Sequence, residues 1–264
     1  DINTYKVNFE YRFNDDILTY VLASSGYRSG GFNRSGPLQV TPASQFNTDT
    51  LWNYELGVRT SWLDNRLTAN AVAYYIDWSD IHLAAWDELA ITTKVQNAGK
   101  AEIFGLETEV RYRVTDNLNL GVNYAYTDAS LSEDYLDEST TPATVLAADG
   151  TRLPASSKNT FTLLADWQGH LTSGLDLLVN ANYVYIGSRA SALGPSGVGA
   201  NVPSSDVVNL SAGIRHETGV TLSVFANNLF DERNIQFQGD INPLLEFIGM
   251  SRPRTLGLRV GYQF

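Results

Sequence analysis

The chain has 264 residues, of which 18% are charged and 11% aromatic, and its formal net charge is −11. This low charged fraction, the many aromatic residues and a polar remainder rich in Asn, Ser, Thr and Gly are together typical of a strand-rich protein. The absence of cysteine excludes disulfides, thiolate metal sites and a cysteine nucleophile, and the acidic balance argues against a nucleic-acid partner, which requires a basic surface.

The sequence also bears on whether the chain crosses a membrane. No run of about 18 consecutive apolar residues occurs, so the sequence predicts no transmembrane helix, whereas a transmembrane β-barrel stays possible because its strands are only half apolar. The chain starts at Asp1 without an initiator methionine or an apolar leader. We therefore expect a processed or excised piece of a longer protein.

Strands are predicted wherever apolar and polar residues alternate, because successive side chains of a strand point to opposite faces. The first such segment has apolar residues at odd positions from Tyr5 to Phe13 and its charges at even positions. After a turn at 14–16, an apolar face is predicted at Leu18, Tyr20 and Leu22. Further apolar faces are predicted at every second residue within 52–58, 104–112, 118–126, 161–167, 175–185, 208–214, 220–224 and 256–264.

One segment, 66–78, admits two registers, and with it the count is eleven strands. Its apolar face is either Leu67, Ala69, Ala71, Ala73 and Tyr75, or Val72, Tyr74, Ile76 and Trp78. Ten charged residues are expected on the face opposite the apolar one: Lys6, Glu10, Arg12, Glu55, Arg59, Glu107, Glu109, Arg111, Arg113 and Arg259.

The connections alternate between two kinds. Tight turns are predicted near 14–16, 63–65, 115–117, 169–173 and 216–218, with Asn and Asp tolerating left-handed backbone at 14–16, 64–65 and 116–117. Long segments run near 27–49, 79–94, 131–155, 187–204 and 229–253. Short periplasmic turns opposite long extracellular loops are typical of outer-membrane barrels, so we predict an all-β, antiparallel transmembrane β-barrel segment.

A soluble barrel or sandwich with its apolar face inside is the alternative, since alternation alone does not exclude it. Two features favour the membrane. The polar face is mostly Asn, Thr, Ser and Gly, where a solvated surface usually carries more Lys and Glu. Aromatic residues also cluster near strand ends, as in the girdles at a bilayer interface: Trp52, Trp62, Trp78, Tyr124, Tyr126, Tyr183 and Tyr185.

Four segments resemble TonB-dependent outer-membrane receptors: 27–33 (YRSGGFN), 97–107 (NAGKAEIFGLE), 228–231 (NLFD) and the C-terminal 259–264 (RVGYQF). The resemblance implies a 22-stranded barrel around an N-terminal plug, of which residues 1–264 would be the second half, with the plug and the N-terminal strands absent. An open half-barrel leaves two edges with unsatisfied backbone groups in lipid. The chain is thus either a fragment or pairs with a second piece.

The resemblance further implies energised uptake of a scarce, bulky nutrient, first a ferric siderophore, otherwise cobalamin or an oligosaccharide. The implied partners are outer-membrane lipid, the TonB complex through the missing plug, and the barrel-assembly machinery, which would read Tyr262 and Phe264. A passive porin or a translocator barrel is the alternative function. Residues expected near the rim as ligand contacts are Tyr27, Arg28, Phe32, Trp86 and Arg189. The alternative is that an aromatic residue there packs a loop or the bilayer interface, which is more common, and that an arginine there is solvated, which is also more common.

The lumen-facing ladder Glu107, Glu109, Arg111 and Arg113 could dock the plug or form self-neutralising cross-strand pairs. No metal site and no cofactor are expected, because the acidic stretch 133–138 lacks the spacing of an EF-hand loop. An enzyme is not expected either. His82 lies beyond a strand end, His170 in a tight turn and His216 beside another, and neither a Gly-x-Ser-x-Gly nor a His-Glu-x-x-His motif occurs.

Overall fold

The computed structural model describes residues 2–33, 44–87, 92–137, 142–191, 193, 201–242 and 245–263. Within these residues no helix is long and apolar enough to cross a membrane. Strands account for the regular structure, and in chain order they are β1 (Lys6–Arg12), β2 (Ile17–Arg28), β3 (Gly31–Phe32), β4 (Gln45–Phe46), β5 (Asp49–Trp62), β6 (Leu67–Ser79), β7 (His82–Asp87), β8 (Thr92–Asn97), β9 (Lys100–Arg113), β10 (Leu118–Leu131), β11 (Tyr135–Asp137), β12 (Thr144–Ala147), β13 (Asn159–Thr172), β14 (Leu175–Ile186), β15 (Arg189–Ala190), β16 (Asn201–Val202), β17 (Ser205–His216), β18 (Val220–Asn227), β19 (Ile235–Asn242), β20 (Leu245–Met250) and β21 (Thr255–Tyr262).

Eleven of these strands form one antiparallel sheet, which we call the wall. Each strand of the wall pairs with its neighbours along the chain, in the order β1, β2, β5, β6, β9, β10, β13, β14, β17, β18 and β21. The other strands form five two-stranded hairpins within the long connections. The predicted all-β class and the predicted eleven strands are confirmed.

The two faces of the wall follow from its register, because directly paired residues point to the same side. Leu56 pairs with Val21 and Ala73, Val122 pairs with Val110 and Leu163, and Val224 pairs with Ala212 and Leu258. We call this apolar side the outer face. Nine of the ten strands whose face was predicted have their apolar residues there.

Strand β2 is the exception, and the predicted face was wrong. Leu18 pairs with Arg12, Tyr20 with Glu10 and Leu22 with Asn8, so these three apolar residues lie on the inner, polar face. The outer face of β2 carries Ile17, Val21, Ala23 and Tyr27, together with Thr19 and Ser25. Apolar side chains occur at both odd and even positions of this strand, so alternation alone assigned its outer face wrongly.

The open register of 66–78 is settled by the pairing of β6 with β5 and β9. Ala73 pairs with Leu56 and Leu106, which places Leu67, Ala69, Ala71, Ala73 and Tyr75 on the outer face. Trp78 consequently lies on the inner side, and its predicted place in the outer aromatic girdle was wrong.

All ten charged residues expected on the inner face lie there by register; Glu107, for example, pairs with Val72, and Arg259 with Ser223. In the part of the chain that the structure describes, the outer face is largely exposed: Leu56, Val224 and Leu258 are each more than half exposed. A continuous exposed apolar face of this kind requires lipid contact.

Tight turns and long connections alternate as predicted, with the turns at 13–16, 63–66, 114–117, 173–174 and 217–219. Left-handed backbone occurs at Leu63, Asp64 and Asn65 but not at the other two Asn-Asp turns for which it was expected. Strand β13 continues to Thr172, so His170 lies in a strand and not in a turn.

Among the described residues, the buried apolar core lies at the long-connection end of the wall. It comprises Ile81, Leu83, Ala98, Ala101, Ala129, Leu131, Tyr135, Ala147 and Leu153. These residues come from the connections 80–99 and 132–158 and from the adjoining ends of β9 and β10. Two long loops are therefore packed together above the wall.

Candidate functional site

The candidate site is the rim formed by the long connections, where the first loop (29–48) contacts the second (80–99). Asp49, the first residue of β5, is buried to 1% exposure at this junction. Its Oδ1 accepts a hydrogen bond from the Arg28 backbone amide (3.0 Å), and its Oδ2 accepts from Arg28 Nε (2.8 Å), Arg28 Nη2 and the His82 amide (3.3 Å). One carboxylate thus ties together β2, β5 and β7.

The charge of Asp49 is stabilised by these donors. Burial raises the pKa of Asp49, but the hydrogen bonds from Arg28 and from the His82 amide lower it by more, so the pKa stays below its ordinary value. Asp49 is the first residue of β5, at the long-connection end of the wall, where its carboxylate contacts the loop residue His82.

Two amide side chains complete the junction. Asn33 is buried, and its side chain makes two hydrogen bonds to the Val95 backbone: it donates to the oxygen and accepts from the amide (2.8 Å each). Asn97 accepts from the Asn47 amide (2.7 Å) and donates to the Asn47 and Asp80 oxygens. Sequence reasoning missed Asp49 and Asn97, since their partners lie tens of residues away along the chain.

The residues predicted to contact ligand lie in different surroundings. Arg28 is half exposed, with its guanidinium on Asp49 and 4.6 Å above the Trp78 ring. Phe32 is 73% exposed on β3, whereas Tyr27 pairs with Thr50 and points to the outer side. Arg189 Nη2 donates to the Gln236 oxygen of the last hairpin.

Trp86 belongs to β7, but its side chain lies outside the described residues. The structure therefore brings Arg28 and Phe32 to one end of the rim, and it does not bring Tyr27 to the same face. A role in ligand contact stays a prediction for all five residues.

The inner wall below the rim is polar and concave, and Tyr20, Arg59, Asn70, Glu107 and Glu109 line it. Within the predicted ladder, Arg111 Nε donates to Glu109 Oε1 at 3.1 Å, which is a pair along one strand. The ladder faces the interior, as expected. Plug docking on it stays a prediction.

Glycines opposite inner-face aromatics form a second pattern that the sequence did not reveal. Tyr20 covers Gly57, Tyr74 covers Gly105 and Phe225 covers Gly257; a Cβ built on each glycine would lie 2.1–2.4 Å from the covering ring. Arg59 and Arg259 extend two of these stacks by cation-π contact. Only the cross-strand register could have identified these pairs.

The segment 228–231 joins the two ends of the last long loop by hydrogen bonds. Asn228 is buried, and its side chain donates to the Glu232 and Arg252 oxygens and accepts from the Glu232 amide (2.9 Å each). Asp231 accepts from the Arg254 amide (2.7 Å) and from Arg233. The motif joins the ends of β18 and β21.

The histidines and acids considered for chemistry have structural partners. His170 Nδ1 lies 2.6 Å from Asp176 at the tight-turn end, and His82 is buried against Asp49. In the acidic stretch, Glu133 pairs with Lys100, while Glu138 lies outside the described residues. Among the residues that the structure describes, no three or more His, Asp or Glu side chains group as metal ligands do.

Comparison with known proteins identifies the architecture. A family model described as TonB dependent receptor-like, beta-barrel, matches residues 1–229. The metal-pseudopaline receptor CntO of Pseudomonas aeruginosa is 26% identical over 262 residues, which are 98% of this chain and 33% of that protein. The pesticin receptor of Yersinia pestis is 30% identical over 113 residues, which are 43% of this chain and 16% of that protein.

Solved structures show the same fold. The ferric yersiniabactin uptake receptor FyuA from Yersinia pestis superposes with a TM-score of 0.76 at 20% identity, covering 97% of this chain and 36% of that one. The siderophore receptor PiuA from Acinetobacter baumannii gives 0.74 at 18% identity, covering 98% and 35%. This chain spans about a third of the length of CntO and of the two solved receptors, so its sheet corresponds to part of their barrels.

Proposed function

Because this chain belongs to the TonB-dependent receptors, we propose that residues 1–264 form the C-terminal half of a 22-stranded barrel that imports a scarce, bulky nutrient. Barrels of this family lie in the Gram-negative outer membrane, and this chain lies there too. The exposed apolar outer face is the surface that contacts lipid.

One observation carries the proposal of a receptor. Two long loops share a buried apolar core, and a third is tied to one of them, the loop 80–99, through Asp49, Asn33 and Asn97. This arrangement holds a rim in one shape above a polar inner wall. A preformed rim favours recognition of a bulky ligand, because little loop entropy is lost on binding, whereas a passive pore requires only an open lumen.

We propose metal complexes of small chelators, first of all ferric siderophores, as the ligand class. The relatives support this choice: one is a receptor for metal-pseudopaline and another structure is that of a ferric yersiniabactin uptake receptor. Tyr27, Phe32, Trp86 and Arg189 remain the proposed ligand contacts at the rim, where Arg28 is paired with Asp49.

The remaining parts of the assembly are proposals of the same kind. The ladder from Glu107 to Arg113 would face a plug supplied by the missing N-terminal part, and the TonB complex would act through that plug. The C-terminal strand would be read by the barrel-assembly machinery through Tyr262 and Phe264; Phe264 lies outside the described residues.

Uptake measurements test the proposal. The complete receptor containing this chain is expressed in a strain without other iron receptors and offered radiolabelled iron as citrate, catecholate, phenolate and hydroxamate complexes. We expect saturable uptake of at least one complex, and loss of that uptake when TonB is deleted. Uptake that rises in proportion to concentration and persists without TonB would instead identify a passive porin or translocator.

A further inference from the structure

We propose that Asp49 is the positioning residue of the rim, and that Arg28 acts on the ligand site through Asp49 and not by touching the ligand. The proposal rests on the receptor function above and goes further by assigning the residue that sets the shape of the first two long loops. We call Arg28, Asp49 and His82 the Asp49 clamp.

The Asp49 carboxylate is fully supplied with hydrogen-bond donors. It is almost fully buried and accepts four hydrogen bonds, two from backbone amides and two from one guanidinium. Hydrogen bonds to a charged group are the strong class, and removing one partner of a buried pair leaves a charge without compensation. The ends of β2 and β7 are therefore held at fixed positions relative to β5.

The clamp extends into both loops. The His82 ring lies 5.0 Å from the Phe46 ring, and its Nε2 contacts the Asn47 oxygen. Asn47 is in turn bonded by Asn97 at the end of β8. Polar contacts thus run from Asp49 into loop 29–48 on one side and into loop 80–99 on the other.

Both Nε and Nη2 of Arg28 are directed at Asp49, and the guanidinium plane lies over Trp78. Both donors reach the same oxygen, Asp49 Oδ2, so a ligand that recruited Nε or Nη2 would have to displace a charge-assisted hydrogen bond to a buried carboxylate. The geometry therefore assigns Arg28 to the protein and not to the ligand.

Hydrogen exchange of the complete receptor in detergent tests the assignment without knowledge of the ligand. In Asp49→Asn and in Arg28→Ala, exchange in segments 44–49, 81–83 and 94–98 should rise by at least about tenfold, as expected for lost hydrogen bonds to a charged group. The double variant should add little to either single variant, because both remove the same interaction.

Asp176→Asn is the matched control. Asp176 also accepts from an arginine, Arg215 at 3.0 Å, and contacts a histidine, but it lies at the opposite end of the wall. Its replacement should leave exchange in the three rim segments unchanged. Should Asp49→Asn fail to assemble, Arg28→Ala carries the same test, since it leaves the carboxylate with its two backbone donors.

A transport readout separates positioning from contact. For the ferric complex that gives saturable uptake, Arg28→Ala should raise the half-saturating concentration and leave the maximal rate unchanged, and Asp49→Asn should do the same. Arg28→Lys should restore part of both the exchange protection and the affinity. The proposal is overturned if Arg28→Ala weakens uptake while rim exchange stays at the wild-type level, or if Asp49→Asn leaves rim exchange unaltered.

Discussion

At the scale of single residues, the inner wall depends on glycines that make room for aromatic rings. Gly105 lies in the 97–107 motif, and a Cβ at this position would lie 2.1 Å from Tyr74 Cζ. The ring is held by a hydrogen bond between its hydroxyl and Thr127 at 3.1 Å, so it does not move aside freely. The glycine of the motif therefore has a packing reason that the sequence alone did not reveal.

We expect Gly105→Ala to destabilise the barrel by about 1–3 kcal/mol, the range for overpacking a filled site. Thermal unfolding of the complete receptor in detergent measures the change. Gly261→Ala is the control, because nothing lies within 4 Å of a Cβ built there. Equal melting temperatures for the two variants would contradict the role assigned to the covering ring.

Asp231 of the 228–231 motif makes stability depend on pH. The hydrogen bond from the Arg254 amide lowers its pKa, burial opposes this, and Arg233 lowers the pKa further, so the net pKa is below the ordinary value. A carboxyl group with a lowered folded-state pKa stabilises the fold above its unfolded pKa of about 4, and this contribution is lost as pH falls through the folded pKa.

Asp231→Asn should therefore lower the melting temperature at pH 7, and the difference from wild type should shrink as pH falls below about 4. Melting curves of both proteins between pH 7 and pH 3 give the comparison. A difference that stays constant over that range would show that the charge of Asp231 does not stabilise the base of the last long loop.

Such residue-level roles were predictable only in part. Alternation placed ten charged residues on the inner face correctly, because strand geometry alone decides which face a residue occupies. Asp49 could not be recognised, since its acceptor role depends on Arg28 and His82, which are 21 and 33 residues away. Partners this distant meet only after the register of three strands is known.

At the scale of strands, the sequence was ambiguous in β2 and in β6, and the cause is the same. Both strands carry inner-face aromatics, Tyr20 and Tyr74, that cover a glycine of the neighbouring strand. An aromatic ring on the inner face places an apolar residue at a position where alternation predicts a polar one, so the two faces of the strand look alike in the sequence. The rule of alternation is weakened wherever a lumen-facing ring replaces a polar residue.

The corrected face of β2 can be tested with a pair of arginine substitutions at adjacent positions. Val21 pairs with Leu56 on the outer face, and Leu22 pairs with Glu55 on the inner face. Val21→Arg should cost about 2–4 kcal/mol, the range for a mid-bilayer arginine on the lipid side. Leu22→Arg should be tolerated better, since it places a cation opposite a carboxylate in the lumen.

Barrel stability and the amount of receptor in the outer membrane are the two measurements for this pair. The reverse order of severity, with Leu22→Arg the more damaging, would restore the face that alternation alone indicated. The two variants share their strand, their depth and the introduced side chain, so differences in synthesis or export do not account for a difference between them.

At the scale of the whole molecule, the alternation of short and long connections fixes the direction of every strand in the wall. Strand β1 runs into the tight turn at 13–16, and β21 ends beside the tight turn at 217–219, where the Gln263 amide donates to the Gly219 oxygen. Both edge strands therefore run toward the same end. This consequence of an odd strand number was predictable from the sequence, because it requires only a count of turns.

Two edges that run in the same direction cannot pair with each other in an antiparallel manner. A lipid-exposed edge leaves backbone groups unsatisfied, each at a cost of several kcal/mol, so the wall requires further strands. Antiparallel closure needs an odd number of added strands, with both terminal ones running toward the long-loop end. A second copy in the same membrane orientation does not supply this, since its own edges run in the same direction as β1 and β21.

We therefore expect residues 1–264 expressed alone to give no heat-stable barrel, and to give one when co-expressed with the N-terminal part of the receptor. Electrophoretic mobility before and after boiling, with protease resistance of membrane fractions, distinguishes the two states. Cysteines introduced at Asn8 and Arg259, one on each edge strand and both on the inner face, report closure within a single chain. If they form an intramolecular disulfide in a heat-stable product of residues 1–264 alone, then β1 and β21 pair in parallel, and the requirement for a second piece is wrong.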